Sequence, residues 1–411
     1  MSPSYLLNRA LWGIILILLP LFYLQIAWGN PVDFQSGGLG AGDFKAYYVA
    51  SRLLDEGENI YELDLQQAET AAIGYNPDIT YYLYPALLAT ALLPLSRLPM
   101  NQAVLIWNTI NLCLLIIIVL LITETFELRN KLATHYPWFV LLFFIATPVT
   151  IALRIGQANI MTLFFVALCF WADKRNNARL SGFALAVATL LKIFPVVILI
   201  WFLWQKKYQM LTAFSLTAIL LVITNAGFLA VTGRYSLTDW YYFTHVLPNL
   251  QPPSQYDNHA LSGFLHRYSI NTPIIRLLST GLILLLSGLS ILRAMLSNQK
   301  AVAHAILLCM ALLITSLTWT STLIFLSIPL AVLIFGKDVQ SGNGRFSIPI
   351  LAIAFGYFCI NGVRLLFNLG ISVTESKLVL SLPFIGTIII WSGLLYIANK
   401  KRLSGFPHLL S

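Results

Sequence analysis

The chain has 411 residues, of which 58% are hydrophobic and 10% charged. Soluble domains carry about 25% charged residues, so most of this surface is not built to face water. A net charge of +9 would suit nucleic acid, but the Lys and Arg residues punctuate apolar runs instead of gathering into one face. That excludes nucleic acid as a partner and marks cytoplasmic loops. The expected fold class is an all-α polytopic membrane protein, a bundle of about 12 transmembrane helices, each needing roughly 20 apolar residues. Residues 1–411 are read as a single integral membrane domain.

The first apolar run, 6–28, is too long for the core of a signal peptide and leaves through Ala27-Trp28-Gly29, a poor cleavage site. It reads as a retained first helix. Residues 30–100 then form a first outer loop, in which Phe44, Tyr47, Tyr48 and Ser51 through Leu54 suggest a helix lying at the membrane interface. Leu83 to Leu95 is apolar but short, and carries Pro85 and Pro94. Counted as a crossing, it would put Lys174, Arg175 and Arg179 outside, so a re-entrant segment is expected. Crossings follow at 101–123, 137–153, 159–172, 180–192, 194–205 and 209–231. The short pair 180–192 and 194–205 forms a shallow hairpin with its corner at Lys192-Ile193-Phe194-Pro195.

A second long outer loop, 232–272, is rich in Trp, Tyr, Asn and Pro, and the last crossings are 273–293, 301–317, 321–335, 346–366 and 378–398. This threading places both termini in the cytoplasm of a multi-pass cell-membrane protein. Arg9, Arg129, Lys131, Lys174, Arg175, Arg179, Lys206, Lys207, Arg293, Lys300, Lys337, Arg345 and the Lys400-Lys401-Arg402 tail then share the inner side. Among acidic residues, only Glu124, Glu127, Asp173 and Asp338 join them there. Cys113, Cys169, Cys309 and Cys359 each sit in an apolar run and read as small buried hydrophobes, with no disulfide or metal framework.

Asp43, in Gly42-Asp43-Phe44-Lys45-Ala46-Tyr47-Tyr48, is the first candidate for chemistry. A carboxylate at headgroup level can act as general base on an acceptor hydroxyl. An Asp ahead of an aromatic helical run is also a common N-cap, and a cap would hold the carboxylate in place for either role. Arg154 lies in the polar knot Arg154-Ile155-Gly156-Gln157-Ala158-Asn159. It either meets a phosphate or snorkels past a glycine turn, and spacing does not choose. Lys192 poses the same choice at the next outer corner, and two cations at two corners favour an anionic ligand.

The third cluster runs from Asp257 to Arg267. Its Asn258, His259, Ser262 and Arg267 suit hydrogen bonding to a polar substrate, with ordinary loop polarity as the plain alternative. His259 and His266 are seven apart, on roughly one helical face, but this is not a metal signature and no metal site is expected. Tyr81, Tyr82 and Tyr84, with Trp240, Tyr241, Tyr242 and Phe243, read as an interfacial belt; stacking on a sugar and lining a lipid tail are further roles that the pattern does not separate.

Taken in order, these residues resemble glycosyltransferase family 87, the polyprenol-phosphate-mannose-dependent mannosyltransferase-like membrane proteins of the GT-C class. The carriers are Gly42-Asp43-Phe44 with Tyr47-Tyr48, Gly57, Tyr61, Tyr84-Pro85 with Pro94, Leu98-Pro99, Gly156-Gln157-Ala158-Asn159, Lys192-Ile193-Phe194-Pro195 and Asn258 to Arg267. The resemblance implies a GT-C-like bundle with amphipathic and re-entrant helices in the first outer loop. It implies an inverting transferase that moves a mannose-like hexose or a pentose from a polyprenyl-phosphate donor to a lipid or glycan acceptor on the outer face.

By the same resemblance Asp43 matches the family's catalytic aspartate, and Arg154, Gln157, Asn159 and Lys192 border the donor phosphate or sugar. Tyr47, Tyr84, Asn258, His259, Ser262 and Arg267 become outer-loop substrate contacts. Besides donor and acceptor, the implied partners are membrane lipids. No cofactor or metal is implied, because Arg or Lys can steady the leaving phosphate, although a divalent cation is left open. There is one departure: where relatives often carry a Trp-x-His-like element, this chain reads Thr318-Trp319-Thr320-Ser321-Thr322, without the His.

Two other classes fit the same layout. A secondary transporter would place its site near the midplane on broken helices and internal repeats. A non-catalytic lipid-binding protein on this scaffold would tolerate Asp43→Asn. No half-to-half repeat is visible and the polar residues gather at the outer boundary, so the transferase leads.

Overall fold

The computed structural model describes residues 12, 13, 15, 17–24, 42–75, 81–126, 136–232, 257–268, 273–297, 299–335, 348–368 and 376–404, and every regular element among them is helical. Several expectations lie outside the described residues. These are both ends of the 6–28 run with Arg9, the start of the first outer loop, Arg129 and Lys131, and most of the 232–272 loop with Trp240 to Phe243. Glu127, Lys337, Asp338 and Arg345 lie outside as well.

Four described helices are each long and apolar enough to cross a membrane: Met100–Thr125, Tyr208–Val231, Ser279–Leu296 and Lys377–Ala398. Pro137–Ile145 and Thr147–Arg154 make a fifth if their bent pair is one span. The bend has a local cause. Pro148 has no N–H to donate and disfavours the helical conformation in the residue before it. The freed amide of Thr147 instead donates to Asn361 Oδ1 at 2.6 Å.

Other expected crossings are shorter pieces. Asn159–Lys174, Ala178–Leu191 and Lys300–Ile314 are single helices. The expected spans 194–205 and 321–335 each open with a 3₁₀ segment, Phe194–Val197 and Thr320–Leu326, before turning α-helical. At about 1.5 Å per residue such pieces fall short of a hydrocarbon core of roughly 30 Å. Among the described residues four to five long spans are supported, and the expected count of twelve crossings is not confirmed.

The chain divides into two compact units: one of Met1–Leu121, Val149–Ile193 and Thr212–Pro252, the other of Ile122–Pro148, Phe194–Leu211 and Pro253–Ser411. In the first unit, the helix Gly42–Glu56 buries every residue from Phe44 to Leu54 except Arg52. The sequence read it as a helix with one face on the membrane, yet it is enclosed nearly all round. Leu83–Leu95 helps to enclose it as two short helices, Ala86–Ala91 and Leu93–Ser96, neither long enough to cross. Ser51 Oγ donates to Ala89 O at 2.9 Å and Tyr48 OH to Leu98 O at 2.7 Å, tying this segment down.

Tyr82 corrects the belt reading. It is fully buried, its hydroxyl donating to Pro85 O at 2.6 Å and its amide to Gln66 Oε1 at 2.7 Å. A buried tyrosine needs such a partner for its polar tip.

In the second unit, Ile348–Asn368 and Lys377–Ser404 pack through Gly356 and Gly386. A Cβ on Gly386 would stand 2.8 Å from Gly356 O, so the absence of side chains permits the close approach. Lys300–Ile314 is buried from Val302 to Leu313, with His304 against the rings of Trp201 and Phe202. All four cysteines are free thiols, and Cys113 is exposed where the sequence suggested burial.

Candidate active site

Among the described residues the candidates fall into two polar centres, one in each unit. The first is built on the turn Ile155-Gly156-Gln157. Gly156 has φ +67°, and a Cβ there would lie 2.7 Å from Phe44 Cβ and 3.3 Å from Trp107 Cδ1, so backbone and neighbours both demand glycine. Trp107 Nε1 donates to Gly156 O at 2.8 Å, and its ring stacks on Phe44 with centroids 5.3 Å apart. The Ile155 carbonyl accepts from the amides of Asp43 (3.0 Å) and Phe44 (3.2 Å), two of the donors that a helix start leaves unpaired. Asp43 therefore sits in the first turn of Gly42–Glu56, where the positive helix end favours a carboxylate. It is not the N-cap that the sequence offered as an alternative.

Gln157, only 4% exposed, grips that carboxylate. Its Oε1 accepts from Tyr47 OH at 2.8 Å and from Tyr84 OH at 2.7 Å. Tyr47 OH in turn lies 3.4 Å from the donating amide of Ala158, which leaves its hydrogen for Gln157. With the amide oxygen claimed twice, Nε2 is the donor, and it donates to Asp43 Oδ2. The rings of Tyr47 and Tyr84 meet edge-on at 4.9 Å, and Lys192 Nζ stands 5.7 Å from the Tyr84 ring centroid, over the ring.

Burial within this ring of side chains pushes the Asp43 carboxyl up to about 6, while the Lys192 charge and the Gln157 hydrogen bond pull the other way. A carboxylate poised near neutrality can take a proton from a hydroxyl.

So the fold joins Asp43, Tyr47, Tyr84, Gln157 and Lys192. Arg154 ends the helix Thr147–Arg154, exposed and without an ion pair or hydrogen bond among the described residues. Asn159 is fully buried at the head of Asn159–Lys174. Sequence reasoning missed Trp107, the residue that seats the turn. Its only signal was the polar break Trp107-Asn108-Thr109 in an apolar run.

The second centre holds the other candidates. Asn258 Oδ1 accepts from the amides of Ala260 (3.1 Å) and Thr318 (3.0 Å), and Nδ2 donates to Ser316 O at 2.9 Å. Ser262 Oγ donates to Ser316 O at 2.8 Å, and Arg267 donates to the carbonyls of Asn258 (2.5 Å) and Leu380 (2.8 Å). His259 Nε2 lies 2.8 Å from Asp257 Oδ1 and 2.9 Å from Thr320 Oγ1.

Burial tends to raise the Asp257 carboxyl, but His259 and Thr320 outweigh it and hold the group below its ordinary value. His259 precedes the helix Leu261–Arg267, so its seven-residue spacing from His266 does not place both on one helical face. Among the described residues no three His, Cys, Asp or Glu side chains gather as a metal site.

A membrane protein whose described residues are all helical, with a buried carboxylate near a cation, is the class these features define. The chain belongs to glycosyltransferase family 87, whose model matches residues 82–321, more than half of its length, and it is accordingly a membrane glycosyltransferase. Tyr84, Gln157, Lys192 and the Asp257–Thr320 centre fall inside that match, whereas Asp43 and Tyr47 precede it. No curated protein matches the sequence.

Proposed function

We propose that this glycosyltransferase moves a mannose-like hexose or a pentose from a polyprenyl-phosphate donor to a lipid or glycan acceptor on the outer side of the cell membrane. The observation that carries the reading is Asp43, with its carboxyl raised to about 6, one oxygen held by Gln157 and Lys192 close by. In the proposed reaction Asp43 removes the acceptor's hydroxyl proton. The acceptor oxygen bonds to the anomeric carbon as the bond from that carbon to the phosphate oxygen breaks. One displacement from the opposite face inverts the centre, and polyprenyl phosphate leaves with the electron pair. Lys192, together with the exposed Arg154 at the end of Thr147–Arg154, is the proposed partner for that phosphate, a charge best met by groups already in place.

The test is transfer of labelled sugar from polyprenyl-phosphate donors by purified protein, comparing wild type with Asp43→Ala and Asp43→Asn. Transfer is expected to vanish in both. Transfer that survives both removes Asp43 as base, and solute uptake into vesicles without transfer by any donor points to a transporter. Topology has a separate check: Arg175→Cys is expected to resist an impermeant thiol reagent applied from outside, and labelling there overturns the helix count.

A further inference from the structure

The second centre contains an atom that the rest of the loop does not use. Asn258, Ser262 and Arg267 spend their hydrogen bonds on Ser316, Thr318, Leu380 and the loop's own backbone. Gly263 completes the seat, since a Cβ there would collide with Asn258 O. These residues build a rigid platform, and His259 stands on it, its own amide donating to Thr318 O at 2.7 Å.

The tautomer of His259 follows from its neighbours. Thr320 Oγ1 donates its hydrogen to Asp257 Oδ1 at 2.6 Å, so both oxygens near Nε2 present lone pairs to it. Nε2 therefore carries the ring hydrogen, and in the neutral ring Nδ1 is a bare acceptor. His259 is 2% exposed, and among the described residues Nδ1 has no hydrogen-bond partner. A buried acceptor left unmade is destabilising, and its retention calls for a partner that arrives from outside the fold. For the neutral ring that partner is a donor. Phosphate oxygens and carboxylates would meet a lone pair with lone pairs, and among the described residues no set of three ligands gathers with this nitrogen to hold a metal.

We propose that Asp257 and His259 form a second recognition element, in which Nδ1 accepts a hydrogen bond from a sugar hydroxyl. This rests on the transferase reading, and the hydroxyl belongs either to the donor sugar or to the acceptor. Asp257 is the positioning residue: it fixes the ring and keeps the lone pair of Nδ1 on offer.

Two variants of the full-length protein separate ligand recognition from a mere loop clasp. In His259→Gln the amide nitrogen takes the place of Nε2 and keeps the Asp257 contact, but nothing accepts at Nδ1. In His259→Asn an oxygen takes the place of Nδ1 and the Asp257 contact is lost. Sugar transfer is measured with labelled polyprenyl-phosphate mannose, varying donor and acceptor separately, together with thermal stability. The expected result is a KM raised about tenfold in His259→Gln at unchanged stability, with partial recovery in His259→Asn. A rise in donor KM assigns the hydroxyl to the donor, and a rise in acceptor KM assigns it to the acceptor.

Wild-type kinetics in His259→Gln, with lost stability in His259→Asn, would overturn the proposal and leave only a clasp. If the wild type transfers no sugar, the transferase chemistry fails, and the pair is read on its own from the ¹⁵N resonance of His259 Nδ1 during titration with n-octyl mannoside. A move toward the hydrogen-bonded position supports sugar recognition, and no change at saturation refutes it.

Discussion

Gln157→Leu removes both functions of one amide at nearly constant volume: the donor to Asp43 Oδ2 and the acceptor for Tyr47 and Tyr84. A hydrogen bond to a charged group contributes about 1.5–3 kcal/mol, and about 1.4 kcal/mol corresponds to one pKa unit. Losing this one disfavours the ionised carboxylate, so the value of about 6 rises. The acid limb of kcat/KM is then expected between about pH 7 and 8. At pH 7 the ionised fraction falls from about nine tenths to between about a half and a tenth, a loss of roughly 2- to 10-fold that disappears near pH 9. The assay is a pH–rate profile of labelled sugar transfer for wild type and variant. A uniform loss at every pH, with the acid limb still near 6, would refute the reasoning and make Gln157 a substrate contact.

Three further outcomes are expected. The Asp43 carboxyl ionises at about 6 when folded against 3.8 in its unperturbed state, so its favourable contribution is complete below about pH 4 and is lost as pH rises through about 6. Asp43→Asn should therefore raise the melting temperature above pH 6, by the equivalent of up to about 3 kcal/mol, and leave it unchanged below pH 4. Equal melting shifts at pH 4 and pH 8 would contradict this. Gly156→Ala forces a side chain into a positive-φ position and against Phe44 and Trp107, costing about 2 kcal/mol or more in thermal denaturation. Lys192→Met takes away a cation that holds Asp43 down, so the acid limb should move up and donor KM should rise about tenfold. An unchanged donor KM would remove Lys192 from the phosphate.

The membrane class and the helical content were legible along the chain because they depend on composition and on apolar run length, both local properties. Gly156 and Gln157 were marked as a polar knot for the same reason: they interrupt an apolar run. Run length does not register a bend. It treats the stretch 137–153 as one straight span, whereas the helix bends by 52° ahead of Pro148 and Asn361 pairs the freed amide.

What only the tertiary structure decided is which polar groups meet. Asp43 and Gln157 are 114 residues apart, and Asp257 and Thr320 are 63 apart. No periodicity encodes such a pairing, because it arises when helices close over a low-dielectric interior and each buried polar atom must find a partner. The same requirement turned Tyr82 from a belt residue into a buried tyrosine hydrogen-bonded to Pro85, and left His259 Nδ1 as a buried atom without a partner among the described residues.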